Sequence, residues 1–425
     1  MAVLGNPAMA NLTQKLWSSL EAGQRRVLLV TLALARIRGL SVYLVGGSVR
    51  DLLLGCSSLD LDLVVEGEVL ALAQAVAWRL GGHLVAHPLF GTATLRGPHF
   101  QLDLATARRE RYPRPGALPQ VEPATIEEDL ARRDFTINAM ALGLTGPHQG
   151  RLLDPFGGQR DLVARLLRAL HEATFRDDAT RILRAARYAA RFSLRLEEGT
   201  DGWLRRDVAY LDTITGARLR HELMRILEEA QPEKALGLLQ AWGALEHLHP
   251  SLRLAPPLMK AFHRLRRLRP SCPSTLAYLA LLSSPLSREE AEALAARLAL
   301  TRREREVVVT MPRAVATLPI LEAARRPSQI VEALEPLPEP CLWALAALTP
   351  QPLAKRRVLR YLERWRHLRP ALRPLQLEAL GVPRGPRLQE ALCVLRQARL
   401  DGRVRTMAGE RRLIRSWLRG GEGHG

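Results

Sequence analysis

The sequence predicts an α+β chain: a head built on a mixed sheet with helices, followed by a long, all-α remainder. Three observations carry this. The apolar run Val42–Val45 stops at Gly46-Gly47, and after a short helical piece the stretch Leu59–Val65 alternates as a strand does. Further short strands are expected at His83–Ala86, Thr92–Leu95 and Phe100–Ala105, each set off by turn residues. Beyond Leu152 the spacing of apolar residues becomes helical almost to the end.

Taken in order, Asn11–Arg38 places Leu16, Leu20, Val27, Leu28, Val30 and Leu34 at helical spacing, which predicts one or two helices before the head. In Ser41–Gly67, strand, glycine turn, the helical piece VRDLLLG closed by Gly55, and a second strand follow one another. Glu66–Leu80 reads as a helix ended by Gly81-Gly82, and the three short strands then complete a mixed sheet with helices on one side. Thr106–Thr125 is proline-rich and charged, without a core pattern, and is expected to be a long functional loop. Glu127–Leu142 predicts a capped, acidic helical turn and then a strand. Asp154–Leu162 holds a second glycine pair, and Phe175–Phe192 is helical with Ile182, Leu183 and Ala186 as its buried side. Proline-rich breaks near Arg269–Pro273, Pro336–Pro340 and Arg369–Pro374 divide the remaining helices.

The 425 residues allow two to four structural units with cores of their own. With 62 basic and 43 acidic residues the net charge is +19, which favours a polyanionic partner. Lysine occurs only at 15, 234, 260 and 355, so the charge is almost all arginine. Arginine suits bidentate phosphate contacts, but a GC-rich coding bias gives the same composition, so RNA binding has to rest on motifs. No apolar run is long enough to span a membrane, and the N-terminus lacks a secretory pattern. Cys56, Cys272, Cys341 and Cys393 have no metal or disulfide spacing and fit reduced thiols of a cytoplasmic protein.

The chemistry is concentrated in Ser41–Gly67. A strand repeats every two residues, so Asp60 and Asp62 share one face. Paired carboxylates repel each other, and a fold keeps such a pair most often for a divalent cation. Gly46-Gly47 leads into a helix N-terminus, where free backbone N–H groups hold phosphate. A phosphate cradle beside a carboxylate pair points to phosphoryl or nucleotidyl transfer. Asp103, in FQLDLA, is the candidate third carboxylate from a neighbouring strand; capping of the following loop is the competing explanation. His247 and His249 have no partner spaced for a metal and read as helix-end histidines.

The glycine-turn-then-DxD order resembles the polymerase β-like nucleotidyltransferases. LVGGSVRDLLLG with DLDLVV is similar to the head signature of the class II tRNA nucleotidyltransferase and poly(A) polymerase family. EEDLARRDFTINAMAL, DPFGGQRDL and FRDDATRILRAARYAARF resemble further motifs of that family. The resemblance implies an N-terminal helical extension (1–38), a nucleotidyltransferase head (39–150), a neck with a base-selecting helix (151–200), an RNA-binding body (201–270) and a helical body and tail (271–425). It implies Mg2+ at Asp60 and Asp62 in a two-metal mechanism, and Gly47, Arg50 and Arg133 as nucleotide contacts. Asp134 would bond ribose or orient an arginine, and Asn138 the same; Asp51 would pair with a nearby arginine. Asp178 and Arg181 would read the incoming base, with Arg184 and Arg187 on phosphate or in template-like holding roles. A carboxylate and a guanidinium together match the amino donor and ring-nitrogen acceptor shared by cytosine and adenine, and mismatch guanine and uracil. One departure stands out: the family has Glu-Asp where this chain has Asp177-Asp178, a shorter reach.

The implied activity is addition of C and A to the tRNA 3′ end from CTP and ATP, releasing pyrophosphate and using no nucleic-acid template. Addition of A alone or of CC alone are the near alternatives. HPLFGTATLRG lacks the arginine-rich string of bacterial poly(A) polymerases, which argues against that relative, and the intact Thr106–Thr125 stretch argues against CC-only addition. A non-catalytic RNA-binding protein would not need the acidic set, and a DxD sugar transferase leaves the basic charge unexplained.

Overall fold

A computed structural model describes residues 7–56, 60–268 and 274–421. Two helices, α1 (Pro7–Ser19) and α2 (Ala22–Ile37), come first, and α2 buries Val27, Leu28, Thr31, Leu32 and Ala35 along one stripe. The glycine-turn region follows as β1 (Ser41–Val45), α3 (Gly47–Leu54) and β2 (Leu61–Glu66). The expected start of that second strand, Leu59, lies outside the described residues, and Asp60 stands one position ahead of β2. Helix α4 (Val69–Leu80) is closed by Gly81 in the left-handed region and leads to β3 (His83–His87), β4 (Thr92–Gly97) and β5 (Phe100–Thr106).

The segment expected to be a loop is instead paired. β6 (Arg108–Arg111) and β7 (Gln120–Pro123) form an antiparallel hairpin. Its pairing is carried by charged side chains, which hydropathy cannot show: Arg109 faces Glu122 across the strands at 2.7 Å, while Arg108 and Glu110 join at 3.0 Å. Helix α5 (Ile126–Ala131) then starts from a Thr125/Glu128 capping box, and β8 (Ala141–Gly143) and β9 (Leu152–Leu153) complete the sheet.

The sheet has seven strands in the order β3-β4-β5-β2-β1-β8-β9, with β2 and β5 parallel and the other neighbours antiparallel. Strand alternation splits its side chains between two cores. Val42, Leu44, Leu61, Leu63, Val65, Leu102 and Leu104 pack with α1 to α4 on one face. Tyr43, Val45 and Val64 pack with Ile126 and Leu130 of α5 on the other. Helices therefore cover both faces, not one as the sequence suggested. Asp62 and Asp103 take the parity of the second face, which is only partly covered.

Next come α6 (Gly158–Val163), β10 (Leu166–Leu167), α7 (Thr174–Asp177), α8 (Thr180–Phe192), β11 (Arg195–Leu196) and α9 (Glu198–Asp207). The expected single helix from Phe175 to Phe192 is broken at Asp178, whose extended backbone separates α7 from α8. Burial on α8 also reaches beyond the expected apolar side and includes Arg181, Arg187 and Tyr188. The short parallel pair β10–β11 was not visible in a helical pattern.

These residues up to Arg218, with Ala241–His247, make one compact unit; Leu219–Gln240 and Leu248 onward make a second. In the first, His247 Nδ1 lies 3.0 Å from Asp212, so this histidine does have an acidic partner, brought near by folding. The second unit is helical, from α10 (Gly216–Leu227, which begins in the first) and α11 (Pro232–Ala241) through α12 (Pro256–Arg267) and α13 (Thr275–Ser283). The break expected at Arg269–Pro273 lies outside the described residues. It continues with α14 (Arg288–Arg297), α15 (Arg302–Ala316), α16 (Leu318–Ala323), α17 (Pro327–Leu334), α18 (Glu339–Leu348) and α19 (Pro352–Glu363). Helices α13 and α18 are apolar nearly all round and form its centre. The last three helices, α20 (Pro374–Glu378), α21 (Pro386–Leu400) and α22 (Met407–Gly421), enclose their own core of Leu372, Leu377, Leu395 and Ile414. Fully buried Glu410 accepts from the Ala371 and Leu372 amides and pairs with Arg399 there. No helix among the described residues is long and apolar enough to cross a membrane.

Candidate active site

At the end of β1, Gly46 turns the chain with φ +63° and ψ −123°, a conformation that suits a residue without Cβ. A Cβ there would also stand 2.6 Å from an Arg133 nitrogen. The Gly46 amide donates to Met140 O at 3.1 Å, which ties the turn to the segment before β8. Helix α3 starts at Gly47, so its free amides face the space beside the turn.

Parallel pairing of β2 with β5 sets Asp62 opposite Asp103 in the register. A cleft of about 260 Å³ opens at this place, lined by Gly47, Asp62, Thr94, Asp103, Arg132 and Arg133, among others. Burial, and then the charges of Asp103 and Asp60, push the Asp62 carboxyl up to about 6. Asp103 accepts from Thr94 Oγ1 at 2.5 Å and from Gln101 Nε2 at 3.1 Å, which fixes its carboxylate. Asp60 is exposed at the rim. Among the described residues no three His, Cys, Asp or Glu side chains converge as a closed ligand set. Asp62 and Asp103 thus form the inner pair, with Asp60 outside it.

The basic wall is held by one buried acid. Asp129, fully buried, bonds Arg132 at 2.7 Å and Arg133 at 2.9 Å. Burial would raise its carboxyl, but the two guanidinium groups outweigh that and hold it below its usual range. Arg132 also reaches Glu110 of the hairpin at 2.8 Å, and Tyr112 donates to the same carboxylate group at 2.8 Å. Asp129, Glu110 and Tyr112 escaped the sequence reading, because nothing in a charged, proline-rich stretch marks which charges turn inward.

Behind the cleft runs a buried polar chain. Arg184 grips Asp134 with Nε at 2.8 Å and a second nitrogen at 2.7 Å. Asp134 also accepts from the Phe135 amide and from Asn138 Nδ2. Its complete burial opposes ionisation, yet Arg184 and the Asn138 bond bring the carboxyl down to about 2. Asn138 Oδ1 in turn accepts from Arg50 at 2.6 Å, and Arg50 pairs with Asp51 at 2.9 Å, the arginine partner expected for that acid.

The two expected base readers are each anchored separately. Asp178 accepts from Thr180 Oγ1 at 2.6 Å and pairs with Arg218 at 2.8 Å. Arg181 is buried and donates to Thr174 Oγ1 at 2.6 Å and to Arg132 O at 2.9 Å. Arg187 is also buried, its guanidinium 4.6 Å from the centre of the Tyr188 ring. The fold therefore gathers Gly47, Asp62, Asp103 and Arg133 at the cleft. It places Arg50, Asp134 and Arg184 in the chain behind it, with Asp178 at the break between α7 and α8 and Arg181 on α8.

Residues 42–168 match the family model described as "Poly A polymerase head domain", and 193–255 match "Probable RNA and SrmB- binding site of polymerase A". A CC-adding tRNA nucleotidyltransferase of Deinococcus radiodurans is 35% identical over 410 residues, which are 95% of this chain and 96% of that protein. An A-adding tRNA nucleotidyltransferase of Geobacter sulfurreducens is 35% identical over 88% of this chain, but the chain spans only 45% of that relative's length. The Thermotoga maritima CCA-adding enzyme, solved in complex with tRNA, superposes with a TM-score of 0.76 at 30% identity, covering 96% of this chain and 98% of that one. Similarity of this extent over nearly the whole chain shows that it belongs to the class II tRNA nucleotidyltransferase and poly(A) polymerase family.

Proposed function

We propose that this protein adds C and A to the 3′ end of tRNA, taking CTP and ATP as substrates and releasing pyrophosphate. The observation that carries the reading is the in-register Asp62/Asp103 pair facing a cleft beside the Gly46-Gly47 turn. The carboxylates suit Mg2+: they are hard oxygen donors, and burial together with the charges of Asp103 and Asp60 pushes the Asp62 carboxyl up to about 6. Asp62 and Asp60 would hold the ion, with Asp103 as a third carboxylate. When bound, such an ion supplies charge neutralisation at the phosphates and acidifies an attacking hydroxyl.

The chain's own residues do the rest. The amides at the start of α3, from Gly47, donate to the triphosphate oxygens, and Arg133, steadied by Asp129, adds a positive charge at the cleft wall. Asp178 and Arg181 select the base, the carboxylate accepting from an exocyclic amino group and the guanidinium donating to a ring nitrogen. Their separate anchors to Thr180, Arg218, Thr174 and the backbone hold both groups in place before a nucleotide arrives. Arg184 keeps Asp134 ionised and fixed, and Arg187 braces the same helix.

A second reading is addition of A alone or CC alone, because relatives of each kind are equally similar, at 35% identity. Incubation with tRNA lacking its last three nucleotides, and with tRNA ending in CC, separates these. Labelled C and A should both enter the first, and only A the second. No incorporation of either nucleotide with Mg2+ present overturns the proposal, and A entering only the CC-ended tRNA selects the second reading.

A further inference from the structure

The resemblance assigns Arg50 to the nucleotide, but its surroundings give it another task. Its side chain is buried, with 4% of the residue exposed. One terminal nitrogen donates to Asn138, and Nε donates to Asp51. The guanidinium carbon lies 4.4 Å from the centre of the Phe192 ring and 5.3 Å from that of Tyr188. Those rings are themselves stacked, with 25° between their planes. The other terminal nitrogen sits 3.4 Å from where a Cβ on Gly47 would be, directly under the glycine turn.

Two routes, both starting at Arg50, thus join α3 to α8. One is polar, from Arg50 through Asn138 and Asp134 to Arg184; the other is the cation–π contact with Phe192 and Tyr188. A nucleotide held at one end by the turn and at the other by Asp178 and Arg181 needs a fixed span between α3 and the start of α8. We infer that Phe192 and Arg50 act as a positioning strut that sets this span, coupling the phosphate turn to the base-selecting helix.

This inference rests on the function proposed above for the chemistry, though the strut itself is a physical link that can be read without substrate. Phe192→Leu keeps an apolar side chain of similar bulk and removes the π face; Phe192→Tyr keeps the face. Hydrogen exchange of the α3 amides, residues 47–54, is measured without substrate, and kcat and KM for CTP and ATP on tRNA with a truncated 3′ end are measured alongside. Phe192→Leu should speed exchange in α3 by about tenfold with α2 and α4 unchanged. It should also lower kcat for both nucleotides by about tenfold, as expected for a small misplacement, while KM for tRNA stays the same. Phe192→Tyr should restore both. Wild-type exchange and kcat in Phe192→Leu, or equal damage in Phe192→Tyr, overturns the strut. If Phe192→Leu does not fold, Arg50→Lys, which keeps charge and loses the planar stack, carries the same exchange test with the same two outcomes. A wild-type protein without any transfer activity would sink the proposed function alone, and α3 exchange would still decide the strut.

Discussion

At the scale of single residues, the carboxyls of Asp62 and Asp134 shift in opposite directions, and the physical causes differ. Asp62 is raised to about 6, so its ionised form is disfavoured in the fold, and at neutral pH it destabilises. That penalty fades as pH falls through 6. Asp62→Asn should therefore raise stability in metal-free buffer by about 1–2 kcal/mol, discounted for the open cleft, while nucleotide transfer drops at least about 100-fold. A variant that is less stable than wild type under those conditions contradicts the account of a disfavoured ionised form. Asp134 is lowered to about 2, so it stabilises above its unfolded value and that gain is lost as pH falls from about 4 toward 2. Urea unfolding of Asp134→Asn should show a deficit of about 2 kcal/mol at pH 7, shrinking steadily below pH 4.

At the scale of elements, the phosphate turn and the hairpin each depend on one glycine. Gly46→Ala forces a Cβ into a strained backbone and against Arg133. Nucleotide KM should rise about tenfold with tRNA affinity unchanged, since the change strikes the cradle and its arginine together. At the tip of the β6–β7 hairpin, Gly116 has φ +74°, and a Cβ there would stand 2.4 Å from Thr213 Oγ1 and 2.7 Å from Thr213 O. Gly116→Ala should lift the tip off that residue, which limited trypsin digestion would register as faster cleavage after Arg111. Unchanged cleavage would mean that the tip is held elsewhere. The hairpin illustrates what a sequence conceals: β6 and β7 pair through Arg109 and Glu122, and hydropathy alternation, the main strand signal, is absent.

At the scale of the molecule, the +19 charge sits on a chain whose two units each have their own core. Many arginines are spent internally, as Arg132 and Arg133 are on Asp129, Arg184 is on Asp134 and Arg399 is on Glu410. Net charge therefore overstates the charge left free for a polyanionic partner. If about six phosphates are contacted, log K for tRNA should fall against log salt with a slope of about −4 to −5. Filter binding between low and moderate salt measures this, and a slope shallower than about −1 would remove electrostatics as the basis of the tRNA reading.

Local pattern alone determined the strand-turn-helix-strand order around Gly46-Gly47, the helical second half, and the strand parity of Asp62. Each follows from spacing within a few residues, which backbone geometry converts directly into a face or a turn. Tertiary structure decided what spacing cannot express. Register between β2 and β5 brought Asp103 to Asp62, forty-one positions apart in sequence, while capping a loop had been an equal explanation. Burial turned Arg50 and Arg181 inward and gave the Asp178 and Arg181 side chains different partners, because a guanidinium goes where acceptors and rings converge. The Ser41–Gly67 stretch names a chemistry. Only the folded neighbours of its glycines and aspartates show which charges are left for a substrate and which hold the site together.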